Sequence, residues 1–189
     1  MRNKQWLFAL LLAAVLFTAF GCDDDDPEPP NEEEVITNLT MTLTPTNGGT
    51  AVTLDFEDLD GDGGNAPTLT VSGPLMANTT YDGVLTLFNR AENPAEDIGA
   101  EVAEEDDEHQ FFFATSNGLD ISFSYSDMDG DGNPIGLEAQ FNAGAASSGG
   151  FRITLRHEPD KGATGVAQGD ITNAGGETDI EVIFDVEIQ

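Results

Sequence analysis

Cysteine is nearly absent from this chain, with Cys22 the only one among 189 residues. A lone thiol excludes an internal disulfide framework and any zinc site built from several thiolates. Basic residues are scarce too, six Lys and Arg against 36 Asp and Glu. Two of those six, Arg2 and Lys4, precede an apolar run at the amino end. Cleavage before Cys22 would leave 4 basic and 36 acidic side chains, a net charge of −32. Phosphates would be repelled and no basic stripe exists, which argues against nucleic acid and against docking on anionic lipid through the protein surface. Catalytic signatures are lacking as well. No G-x-S-x-G elbow, P-loop or G-x-G-x-x-G precedes a helix, and no cysteine nucleophile remains beyond Cys22. Carboxylate pairs are too abundant to point to glycoside chemistry. The expectation is a non-catalytic protein, with an envelope hydrolase the least favoured of three readings.

What is present begins with Trp6 to Phe20, a run of 15 residues in which Thr18 is the only polar one. It falls short of the roughly 20 residues that span a bilayer as a helix. A basic start, a short apolar core and a small residue at the cut describe a secretory signal over residues 1–21. Ala19-Phe20-Gly21-Cys22 resembles a bacterial lipobox, in which the Cys is lipidated and becomes the first residue. An ordinary signal peptide with an incidental Cys is the alternative. Residues 22–34 follow as Asp23 to Asp26, Pro27, Pro29, Pro30 and Glu32 to Glu34, an extended acidic tether with no core-forming side chain. Acidic residues directly after the lipidated Cys resemble the surface-export signal of Bacteroidota lipoproteins; a solvated spacer is the bland alternative. The expected location is the outer membrane, held by the lipid anchor and exposed at the cell surface.

From residue 35 to 189 the pattern is that of strands. Leu39, Met41 and Leu43 alternate with Thr40, Thr42 and Thr44, a period of two rich in branched residues. Asn47-Gly48-Gly49 is turn chemistry, and a second strand returns over Ala51 to Phe56. Seven further strands are predicted at 68–71, 81–88, 110–115, 119–125, 137–141, 151–156 and 179–188. One helix is predicted, capped by Asn93, with Pro94 in its first turn, running through Ile98 and Val102. Nine short strands with Gly- and Asn-rich turns predict a single all-β domain, an antiparallel sandwich of immunoglobulin-like kind with one short helix.

Two segments repeat the pattern D-x-D-G-D-G. Asp58, Asp60 and Asp62 form the first, and Asp127, Asp129 and Asp131 the second. Alternate carboxylates on a tight loop can converge on a hard cation, and Gly permits the turn. Glu138 stands at the twelfth place of the second loop, where an EF-hand keeps its bidentate Glu, although the flanks read as strands. Strand-loop-strand calcium sites are therefore one expectation, with calcium the candidate cofactor. Acidic β-turns without an ion are the other. The two histidines, His109 after Glu108 and His157 before Glu158, offer a zinc or copper site if the fold brings them together. Otherwise each is a surface His stabilised by acidic neighbours.

Taken together, Glu32 to Thr37, Asp58 to Asn65, Asn93 to Asp97, Asp107 to Gln110, Gly132 to Leu137, Leu155 to Lys161 and Ala174 to Ile180 resemble a family of Bacteroidota lipoproteins. That family is often labelled a type 1 periplasmic binding fold superfamily, and the resemblance covers nearly the whole chain after Cys22. It implies lipidation and an envelope location, and its label implies two α/β lobes, in conflict with the strand pattern. The favoured functional expectation is a surface-tethered β-sandwich binding module stabilised by calcium, its small ligand or partner unspecified. The alternative is a zinc- or copper-scavenging lipoprotein working with an outer-membrane uptake receptor.

Overall fold

The computed structural model describes residues 34–61 and 64–189. The expected signal segment, Cys22 and all of the tether before Glu34 lie outside the described residues, as do Asp62 and Gly63 of the first acidic loop. Nine strands and one α-helix make up the described part: β1 (Asn38–Pro45), β2 (Val52–Glu57), β3 (Thr68–Val71), β4 (Thr79–Phe88), α1 (Ile98–Glu104), β5 (His109–Thr115), β6 (Ile121–Tyr125), β7 (Glu138–Ala143), β8 (Ser147–His157) and β9 (Glu177–Ile188). Six strands form one antiparallel sheet in the order β3-β2-β1-β4-β7-β6, and three form the second in the order β5-β8-β9. The all-β expectation holds, and the two α/β lobes implied by the family label do not describe this domain. Among the described residues, no helix is long and apolar enough to cross a membrane.

The period of two decides which face each strand buries. Leu39, Met41 and Leu43 of β1, Leu85 and Leu87 of β4 and Phe141 of β7 point inward from the large sheet. Phe111 and Phe113 of β5, Phe151, Ile153 and Leu155 of β8, and Ile180 to Ile188 at every second position of β9 face them. Phe113 bridges the layers, packing edge-on against Phe141 at 5.0 Å and stacked on Phe151 at 6.1 Å between ring centroids. Truncating a buried Phe of this kind to Ala costs about 3–5 kcal/mol. The segment after β3 adds a short pairing to β9, with Leu75 N–H donating to the Glu187 carbonyl at 2.8 Å.

The helix starts later than the sequence suggests. Asp97, not Asn93, is the N-cap, its carboxylate accepting from Ala100 N–H at 3.2 Å. Asn89 and Glu96 exchange both backbone hydrogen bonds, at 3.0 and 3.1 Å, which commits residue 96 to an extended bridge and leaves no helical turn before it. Ile98 and Val102, four residues apart, bury one face of α1 in the core. The end of α1 delivers Glu101 and Glu105 to the entrance of β5, and so to His109.

Candidate metal centre

His109 opens β5 and His157 closes β8, and the two are direct cross-strand partners. Both share the inward parity of their strands, His109 with Phe111 and Phe113, His157 with Leu155 and Ile153. The register therefore places two imidazoles where the core pattern calls for apolar side chains, at one end of the sandwich. Their rings stack at 4.5 Å between centroids, with 26° between planes. His109 is 0% exposed and His157 4%.

A third group comes from β9. Pairing of β8 with β9 runs Leu155 to Ile180 and then Arg156 to Thr178, so Asp179 is the extra residue of a β-bulge. By strict alternation Asp179 would face outward with Glu181, Asp185 and Glu187. The bulge re-aims it, and its side chain is 0% exposed. Its carboxylate lies between the imidazoles, Oδ2 at 3.9 Å from His109 Nε2 and Oδ1 at 3.7 Å from His157 Nδ1. Gly176 lets the preceding loop approach: its φ is +67°, and a Cβ there would sit 2.1 Å from the His157 carbonyl oxygen.

Proton positions follow from the partners. His109 Nδ1 lies 3.2 Å from the Glu105 carbonyl oxygen, which can only accept, so Nδ1 carries the proton. Burial depresses the His109 pKa, and the ring is neutral near pH 7, with its lone pair on Nε2. That Nε2 is buried without a hydrogen-bond partner, as is Nε2 of His157. Leaving such an atom unsatisfied costs about 1–3 kcal/mol. A backbone carbonyl fixing one ring nitrogen while the other is free is the arrangement that orients a metal-bound His. The distances agree. Tetrahedral zinc with ligands at 2.0–2.1 Å holds its donor atoms roughly 3.4 Å apart. Separations of 3.7 and 3.9 Å are too long for hydrogen bonds and close to that edge.

More carboxylates surround this core. Glu108 Oε2 is 3.8 Å from His157 Nε2, and Glu105 Oε2 is 4.0 Å from His109 Nδ1. Ligand atoms of His109, His157 and Asp179 all lie within 4.8 Å of one another, and so do those of Glu34, Glu105 and His109. Burial first, then the negative charges of Asp179 and Glu105, raise the pKa of Glu34. Partial burial and the charges of Glu34 and Glu96 push Glu101 up to about 7. Negative charge is crowded at this end of the domain, which favours a cation. An open cleft of about 490 Å³, lined by Glu34, Phe56, Asp58, Asp179 and Glu181 among others, reaches this cluster from solvent.

Of the expected histidine ligands, the fold brings together His109, His157 and Glu108, and not Glu158. Glu158 is exposed, sits at φ +48°, and gives its N–H to the Glu108 carbonyl at 2.6 Å. Asp179, Glu105 and Glu34 were not legible in advance. They look like any other member of an acidic sequence, and the bulge that selects Asp179 leaves no local signature.

The D-x-D-G-D-G loops take another form. Asp129 Oδ1 accepts from the N–H groups of Asp131 and Asn133, at 3.0 and 2.8 Å, while Oδ2 is 3.2 Å from the Lys161 ammonium. Asp127 accepts from the N–H groups of Gly136 and Glu138, at 2.8 and 3.0 Å. Asp131 and Glu138 are exposed. Amides and an ammonium thus occupy the oxygens that calcium would need, and Asp127, Asp129 and Asp131 do not form one of the close ligand groups among the described residues. In the first loop, Asp58 accepts from Gly61 N–H at 3.0 Å and Asp60 from Asn65 N–H at 3.1 Å. Both serve as turn acceptors, and Asp62 lies outside the described residues.

No family model matches the chain, and neither a curated protein nor a solved structure matches it.

Proposed function

We propose that this domain is a divalent transition-metal-binding module, holding zinc or a similar ion through His109, His157 and Asp179, on a lipid-anchored envelope protein. One observation carries the reading: a buried, neutral imidazole whose Nδ1–H is fixed by a carbonyl and whose Nε2 has no hydrogen-bond partner while facing a buried carboxylate. Two imidazoles and a carboxylate suit zinc, copper or nickel better than calcium, which prefers oxygen alone. The surrounding acidic residues add the field that draws a cation in. Binding rather than turnover is the proposed role. The lipobox-like Ala19 to Cys22 supplies the anchor.

Calorimetric titration of the metal-free protein with zinc tests this. One saturable site per chain is expected, lost in His157→Ala and undiminished by millimolar calcium. Absence of saturable binding at tens of micromolar zinc would overturn the reading.

A further inference from the structure

We infer that Glu34 supplies a further carboxylate to the ion held by His109, so that metal binding pins the point where the amino-terminal segment enters the domain. This rests on the metal-centre reading and adds a consequence to it. Glu34 is four residues ahead of β1, on the stretch that joins the acidic amino-terminal segment to the sandwich. A Glu34 carboxylate oxygen, a Glu105 carboxylate oxygen and a His109 ring nitrogen lie within 4.8 Å of one another. His109 belongs to both close ligand groups, and it carries the buried, unpartnered Nε2. The two groups therefore share one residue, and a single ion near His109 is in reach of both.

The position of Glu34 sets what its ligation would do. It lines the cleft that reaches Asp179, between solvent and the buried imidazoles. Three residues later Thr37 donates its N–H to the Phe88 carbonyl at 3.1 Å and its hydroxyl bonds Asn38, the first contacts that attach the chain to the large sheet. Before that attachment, Glu34 is held by carboxyl contacts to Glu101 and by repulsion from Asp179 and Glu105. Those are weak or adverse restraints. A divalent ion reverses the sign of the largest of them, turning three crowded carboxylates into ligands of one charge. The metal would then close its own cleft with Glu34 and fix the chain from residue 34 to β1. An envelope protein with this linkage would hold its domain at one angle to the tether when loaded, and at a wider range when empty.

Zinc affinity and hydrogen exchange of the full chain in detergent, compared with Glu34→Gln and Glu33→Gln, test the inference. Glu34→Gln should weaken zinc by at least about tenfold, the loss expected when a group that supports a metal is removed. Zinc should slow amide exchange over residues 35–37 in the unaltered chain and not in Glu34→Gln, while slowing exchange around His109 and His157 in both. Glu33→Gln removes the same charge one residue earlier and should change neither result. If Glu34→Gln binds zinc as tightly as the unaltered chain, with the same protection at 35–37, the inference is overturned and the metal centre stands. Equal weakening by Glu33→Gln would also overturn it, by reducing the effect to general charge. If no variant and no unaltered chain binds zinc, the metal centre fails and this inference falls with it.

Discussion

The Lys161 ammonium lies 3.2 Å from Asp129 Oδ2, with both side chains at most 5% exposed, and donates as well to the Asp106 carbonyl. This pair ties the turn after β6 to the loop between β8 and β9 and to the end of the acidic stretch after α1. It puts a covalently attached cation in the loop whose sequence suggests calcium. Lys161→Met should therefore leave an uncompensated buried carboxylate and cost about 3–5 kcal/mol. For a domain of this size that lowers Tm by roughly 6–20 °C. Thermal melts of the two proteins check it. At matched ionic strength, calcium should stabilise the unaltered protein no more than magnesium does.

The same pair predicts acid behaviour. Burial alone would raise the Asp129 pKa, but the Asn133 N–H and the Lys161 ammonium outweigh it and hold the carboxyl below its usual 3.8. A carboxyl depressed in the folded state stabilises the fold above its unfolded pKa. That contribution is lost as pH falls from about 4 through the folded value. Denaturant unfolding between pH 5 and pH 2.5 should show a steeper loss of stability in the unaltered protein than in Asp129→Asn. Parallel curves would remove Asp129 from the account.

Zinc should act as a ligand of the folded state alone. At a hundredfold excess over Kd, such binding adds about 2.7 kcal/mol. The matching rise in Tm is roughly 5–11 °C. Asp179→Asn keeps the shape and removes the charge between the imidazoles, and should lose most of that rise while melting near the unaltered protein in chelator. A full rise in Asp179→Asn would take the bulged carboxylate out of the metal centre.

Lipidation rests on Cys22, and Cys22→Ala should abolish palmitate incorporation in a bacterial host and release an exported soluble protein. A mutant that still fractionates with membranes would remove the lipobox from the account.

Much of the sandwich was legible because strands carry their own period. Leu39, Met41 and Leu43, or Ile180 to Ile188 at alternate positions, read as one buried face without knowledge of their partners. The helix start was misplaced because Asn93 and Pro94 satisfy the local rules for a cap. The bridge from Asn89 to Glu96, a contact outside any local window, overrides them. The two acidic loops were read by composition, which registers three carboxylates and not the amides and Lys161 that turn toward them.

The sequence alone determined that the protein is acidic, that it begins with an export-type leader ending at a single Cys, and that its domain is built of alternating strands. These follow from composition and short-range periodicity, which need no partner. Only the tertiary structure decided that His109 faces His157 and that Asp179 rather than Glu158 joins them. Cross-strand register sets the first, and a one-residue bulge sets the second by reversing the side of the sheet to which a carboxylate points. Both depend on strands distant in the chain, where 36 acidic residues offer many equivalent candidates and pairing geometry selects among them.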